Sequence, residues 1–131
     1  MKLACGIDTI EIERVKRALE RHGTRFLTRI YTARELDDAH GNPASLAARF
    51  AAKEAVAKAL GCGIGPIQWQ DVEIQKGTHG EPLLFLYGNA RQLAQNLGLN
   101  SWSISLSHSR DYAVAMAVAI ESPDCATAHP Q

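Results

Sequence analysis

Apolar positions recur along the chain with two different periods. Trp102, Ile104 and Leu106 alternate with Ser103, Ser105 and Ser107, the pattern of a strand with one buried face. After a turn at Ser107-His108-Ser109-Arg110, the long apolar run from Tyr112 to Ile120 predicts a further strand. Val72 and Ile74 share one face of a predicted strand from Trp69 to Lys76. Leu83 to Tyr87 reads as its partner across the Gly77-Thr78-His79-Gly80-Glu81-Pro82 turn, which makes a hairpin. Leu3 to Ile7 predicts a short buried strand that ends at Asp8.

Helical spacing marks the other segments. Ile12, Val15 and Leu19 form a stripe, and Thr32-Ala33-Arg34-Glu35 fits a capping box that opens a short helix at Thr32. Asn89 to Leu97 reads as another short helix, stopped by Gly98. The dominant helix contains Arg49 to Leu60, is opened by Asn42-Pro43 or by Ser45, and stops at Gly61. The following Gly61-Cys62-Gly63-Ile64-Gly65-Pro66 lacks the Walker lysine and the ordered GxGxxG spacing, so it reads as a connection and not a phosphate loop. The predicted fold is α+β: an antiparallel sheet, from the C-terminal strands and residues 3–7, packed against the central helix and the first helix. One domain is expected over residues 1–120, followed by a loose polar tail at 121–131.

Composition narrows the classes. A chain of 131 residues is large enough for one domain with a real core. Its formal net charge of zero gives no global basic field for nucleic acid, and 6% aromatic residues argue against base-stacking platforms. Cys5, Cys62 and Cys125 form no CxxC pair, which speaks against a disulfide framework or zinc site and suits a reducing compartment. The N-terminal apolar stretch is too short for a signal peptide or a span, so a soluble, cytoplasmic protein without membrane partners is expected.

Three features carry candidate chemistry. Phe50, Glu54 and Lys58 are four residues apart and share a helix face, with about 6 Å between successive positions. They read either as a surface ion pair beside a ring, worth about 0.3–0.5 kcal/mol, or as part of a site. Asp8 reads as a cap for the next helix or as a carboxylate for a hard cation. Arg14, Arg17 and Arg21 repeat at helical spacing, with Lys16 and Arg25 adding to them and Glu13 and Glu20 diluting them. That face is either solvated or a dock for an acidic helix or a phosphate.

Several stretches together resemble a known family. They are Gly6-Ile7-Asp8 with Glu11-Ile12 and Arg14, Arg29-Ile30-Tyr31-Thr32 with Glu35, and Arg49-Phe50-Ala51-Ala52-Lys53-Glu54-Ala55 with Lys58 and Gly61. Gly80-Glu81-Pro82 and Ser107-His108 with Tyr112-Ala113 complete the set. In order and spacing, from about residue 3 to 120, these resemble the holo-acyl-carrier-protein synthase type of 4′-phosphopantetheinyl transferase. The resemblance implies transfer of the phosphopantetheine arm of coenzyme A to a serine of apo acyl carrier protein, for fatty acid biosynthesis. Adenosine 3′,5′-bisphosphate would leave. It further implies Mg²⁺ as cofactor and a homotrimer with active sites at subunit interfaces.

Residue roles follow from the same resemblance. Asp8 and Glu54 would hold the metal, and Glu54 and Lys58 would be catalytic, with Lys58 facing the pyrophosphate. The base is either Glu54 or a metal-held water. Arg49 would bind coenzyme A, or else form an ion pair between helices or subunits. His108 and Ser109 would lie near coenzyme A, though a loop histidine is otherwise a surface or hydrogen-bonding residue. Gly80 and Pro82 would shape the turn at the nucleotide, or Gly80 would serve hairpin geometry alone. Arg14 matches the family's carrier-protein contact, and helical spacing adds Arg17, Arg21 and Arg25. Two departures stand out: Glu81 replaces a commonly basic residue, and Ser109 a more usual threonine. The rival reading is a non-catalytic module that binds an acidic protein or a nucleotide through its arginine face. It has no need of Asp8, Glu54 and Lys58 together.

Overall fold

Alanine and glycine let a sheet and one long helix come into close contact. The computed structural model describes residues 1–123; Cys125 and most of the expected tail lie outside the described residues. Strands β1 (Leu3–Glu11), β4 (Ser101–His108) and β5 (Tyr112–Ile120) form an antiparallel sheet in the order β1-β5-β4. Helix α4 (Pro43–Ala59) lies across one face of it, against Ala113, Ala115, Ala117 and Ala119, all buried. A Cβ on Gly6 would stand 2.0 Å from the Ala55 carbonyl oxygen, so only glycine admits the helix there. Overpacking of that kind costs about 1–3 kcal/mol or more. Asn42 caps α4 by accepting from the amides of Ala44 and Ser45 at 2.9 and 3.2 Å, with Pro43 in the first turn.

Strand β1 runs on to Glu11, past the expected end at Ile7, because Asp8, Thr9 and Ile10 continue the pairing with Ala115, Val114 and Ala113. Asp8 is therefore in mid-strand and caps no helix. Its position shares the alternation of Gly6 and Ile10, the α4 side. The opposite side carries Leu3, Ile7, Tyr112 and Met116, all well exposed, with half-buried Val114 and Val118 and the serines of β4. No described element covers this face.

Helix α1 (Ile12–His22) ends at Gly23, whose φ of +51° starts a new helix, α2 (Thr24–Ile30). Arg25 thus belongs to α2 and not to the first helix, which corrects the continuous arginine stripe. The short α3 (Ala33–Ala39) begins with the expected capping box: Thr32 Oγ1 accepts from Glu35 N at 3.2 Å and Thr32 N donates to Glu35 Oε1 at 3.0 Å. The hairpin β2 (Val72–Lys76) and β3 (Pro82–Leu86) is a separate two-stranded sheet. Trp69 to Asp71, expected as strand, forms a 3₁₀ turn tightened by Gln68 N donating to Asp71 Oδ2 at 3.0 Å. Helix α5 (Gly88–Leu97) closes on Gly98 at φ +75°.

Candidate active site

Strand β1 and helix α4 bring Asp8, Glu54 and Lys58 together. Lys58 Nζ donates to Asp8 Oδ1 at 3.0 Å and to the Ile7 carbonyl at 2.9 Å. The ammonium is thus drawn across to the strand and forms no ion pair with Glu54, one turn before it. Glu54 is half-buried, and burial first, then the Asp8 charge, raises its carboxyl above the ordinary glutamate value, with Lys58 opposing. Two carboxylates close enough to repel stand beside one exposed ammonium, which pairs with Asp8 alone. Their donor chemistry fits a small hard cation that completes its shell with waters and substrate phosphates. No group of three or more metal-binding side chains occurs among the described residues, so the protein would supply only part of that shell.

A second feature lies on the other side of α4. Arg49 precedes Lys58 by nine residues, which on a helix is about 180° of rotation and 13 Å of rise. Arg49 is buried; its Nε donates to the Ile74 carbonyl at 3.1 Å and its Nη1 to Ser45 Oγ. It forms no ion pair within 4 Å among the described residues. It lines an open cleft of about 210 Å³ with Asp38, Ser45, Lys76, Gly80 and Pro82. Gly80 sits at φ +82°, a conformation that favours glycine, so hairpin geometry accounts for it whether or not a ligand comes near. Glu81 turns back into the same bend, where its carboxylate accepts from His79 N at 2.8 Å and lies close over Gly77.

His108 and Ser109 do not line the cleft. His108 is exposed at the end of β4, two residues beyond the cleft residue Leu106 and about 7 Å along the strand. Ser109 Oγ accepts from Tyr112 N at 3.4 Å within the turn. Arg14, Arg17 and Arg21 are exposed on α1, and Arg25 and Arg29 on α2. None of the five enters an ion pair among the described residues.

The residues that sequence reasoning missed are Lys53 and Glu35, both completely buried. Lys53 Nζ donates to Glu35 Oε1 at 2.8 Å, to the Trp69 carbonyl at 3.0 Å and to the Val72 carbonyl. Burial pushes the lysine pKa down, and the Glu35 charge pulls it back. A signal was present, since Lys53 falls on the same helical stripe as Val56, Ala57 and Leu60, where a cation needs a partner.

The family model described as "4′-phosphopantetheinyl transferase superfamily" matches residues 4–117. A holo-[acyl-carrier-protein] synthase of Moorella thermoacetica is 50% identical over 119 residues, covering 88% of this chain and 92% of that one. One from Herpetosiphon aurantiacus is 46% identical over 123 residues, covering 88% and 97%. Among solved structures, the Helicobacter pylori holo-[acyl-carrier-protein] synthase in complex with coenzyme A superposes with a TM-score of 0.82. It is 32% identical and covers 88% of this chain and 99% of that one.

Proposed function

The chain belongs to the 4′-phosphopantetheinyl transferase superfamily, and from that premise we infer its reaction. It transfers the 4′-phosphopantetheine group from coenzyme A to a serine of apo acyl carrier protein, giving the holo protein and adenosine 3′,5′-bisphosphate. The observation that carries this reading is the gathering of Asp8, Glu54 and Lys58 from two distant segments. A module that only binds an acidic partner would not need it. The test is mass spectrometry of apo acyl carrier protein incubated with this protein, coenzyme A and Mg²⁺. A mass gain of one phosphopantetheine is expected, and an unchanged mass would refute the reaction.

The serine oxygen attacks the β-phosphorus of coenzyme A, and the bond from that phosphorus to the bridging oxygen breaks. Glu54, which forms no ion pair with Lys58, is the carboxylate on this chain proposed to receive the serine proton. Lys58 moves its ammonium from Asp8 towards the departing bisphosphate and offsets its charge. Asp8 and Glu54 would hold Mg²⁺, which when bound neutralises charge on the pyrophosphate oxygens. Arg49, Gly80 and Pro82 receive the nucleotide end, and His108 and Ser109, outside the cleft at the end of β4, would meet the ligand only where it extends beyond the cleft.

The two halves of this site face away from each other across α4, which supports a homotrimer in which one subunit's cleft adjoins the next subunit's carboxylates. The uncovered face of the sheet, with Leu3, Ile7 and Met116, supports such assembly as well. Residues 1–120 act as one transferase unit. No helix among the described residues is long and apolar enough to cross a membrane. The reading places the protein in the cytoplasm, on the carrier protein of fatty acid biosynthesis, where the free thiols of Cys5 and Cys62 would stay reduced.

The exposed arginines Arg14, Arg17 and Arg21 supply the carrier-protein dock, with Arg25 entering from α2. Carrier proteins present an acidic helix beside the acceptor serine, and charges across a rim mainly speed encounter. Reversing Arg14 and Arg21 to Glu is expected to raise KM for the carrier protein at least about tenfold at low salt. KM for coenzyme A should stay within about twofold, and added salt should weaken the wild type more than the variant. Steady-state kinetics with each substrate varied at two ionic strengths provides the check. An unmoved carrier KM would make the arginines a solvated surface.

A further inference from the structure

In the hairpin, Val72, Ile74 and Lys76 turn their backbone groups away from β3, and no third strand among the described residues receives them. Ionised side chains from α3 and α4 do so instead. Lys53 donates to the Val72 carbonyl, Ile74 N donates to Glu35 Oε2 at 2.8 Å, and Arg49 donates to the Ile74 carbonyl. At the next outward position Lys76 N donates to Asp38 Oδ2 at 2.9 Å, and Arg34 reaches the Lys76 carbonyl at 3.5 Å. A two-stranded hairpin is marginal by itself, and an open edge is normally covered or paired. Here the covering edge is built of charges. The residues so held, Ile74 to Lys76, form one wall of the cleft, and the same hairpin carries Gly80 and Pro82 at its mouth.

Placing Lys53 and Glu35 there carries a cost. Each buried ion carries a desolvation penalty of several kcal/mol, and an apolar pair of similar volume is often as stable. Stability alone therefore gives no reason for charges at this seam. Direction does: all three Lys53 donors and both Glu35 oxygens are committed, so the strand can sit in one place only.

We propose that Glu35, Lys53 and Asp38 are positioning residues for coenzyme A, which fix the edge of β2 and thereby the spacing between Arg49 and the hairpin. The proposal rests on the reading of this cleft as the nucleotide end of the site. None of the three needs to touch the ligand. A displacement of about 1 Å is enough to cost on the order of a hundredfold in a positioned site.

The test uses two variants and a binding measurement that needs no turnover, the Kd for coenzyme A by calorimetry. Asp38→Ala is the first. Asp38 lies near Arg49, so removing its charge should tighten binding of a phosphorylated ligand if electrostatics alone mattered. Positioning predicts the opposite sign, a Kd raised about tenfold. Lys53→Met combined with Glu35→Leu should raise it at least as much, with kcat at saturation and KM for the carrier protein within about twofold of wild type. Amide exchange at Ile74 and Lys76 should quicken in step. Asp38 is half-buried, its side chain 12% exposed, so the unfolding temperature of Asp38→Ala is read beside its Kd. A folded Asp38→Ala whose Kd is unchanged or lowered overturns the proposal, whether or not the double variant folds. A folded double variant with wild-type affinity overturns it too. A wild type that binds coenzyme A but transfers nothing would count against the reaction and leave the positioning result standing.

Discussion

Glu54→Gln is expected to lower kcat by about 10³-fold while leaving the unfolding temperature near that of the wild type. The amide has almost the shape of the carboxylate, so the packing of α4 on β1 is unchanged. It has lost the negative charge and the capacity to take a proton. Both losses fall on the same atoms, since Glu54 is read as base and metal carboxylate at once. Its raised pKa shows what the folded protein does there: burial and Asp8 hold the carboxyl protonated to a higher pH than an isolated glutamate. A cation between the two carboxylates relieves that repulsion, so in the wild type Mg²⁺ should raise the unfolding temperature more at neutral pH than at acid pH. In Glu54→Gln the increment should shrink at both. Asp8→Asn should lose activity alike, leaving Lys58 without an ion-pair partner but still exposed to water. Kinetics across a Mg²⁺ titration, with calorimetric melting of each variant, measure this. Near-normal rates in both variants at limiting Mg²⁺ would remove the two carboxylates from the chemistry.

Local rules made much of this legible beforehand. Asn42, Pro43 and Gly61 mark α4, Thr32 and Glu35 mark the start of α3, and serine alternation marks β4, because capping and burial act within a few residues. The missed features depend on partners far away in sequence. Strand β1 outlasts its apolar run since Thr9 and Glu11 find Val114 and Tyr112 on β5, more than a hundred residues on. Helix α2 has only seven residues and depends on packing of Phe26, Leu27 and Ile30 against the core, which no propensity reveals. Lys58 could have met Glu54 at helical spacing; a closer oxygen on β1 won. Lys53 is the sharpest case. Read in a string of alanines it looks like a solubilising lysine, and only the position of β2 explains a buried ammonium with three acceptors.

Mixing two inactive proteins should restore activity. Lys58 and Arg49 point in opposite directions from α4, so one coenzyme A cannot lie against both in the same chain without wrapping around the helix. In a cyclic trimer it need not, because each ligand can use the carboxylates of one subunit and the cleft of its neighbour. Asp8→Asn destroys the first half, and Arg49→Met the second, the methionine keeping bulk in a buried position. Alone, a homotrimer of either variant would have three damaged sites. When the two are unfolded together and refolded in equal amounts, a site is intact only if the carboxylate side comes from an Arg49→Met chain and the cleft side from an Asp8→Asn chain. Each condition holds half the time, so about a quarter of wild-type activity should return for random assembly into a symmetric trimer. The yield should follow the mixing ratio, peak at equal amounts and vanish towards either end. Sedimentation of the same samples reports the oligomer. No recovery from a mixed trimer would confine each site to a single chain, and a fully active monomer would remove the shared site altogether.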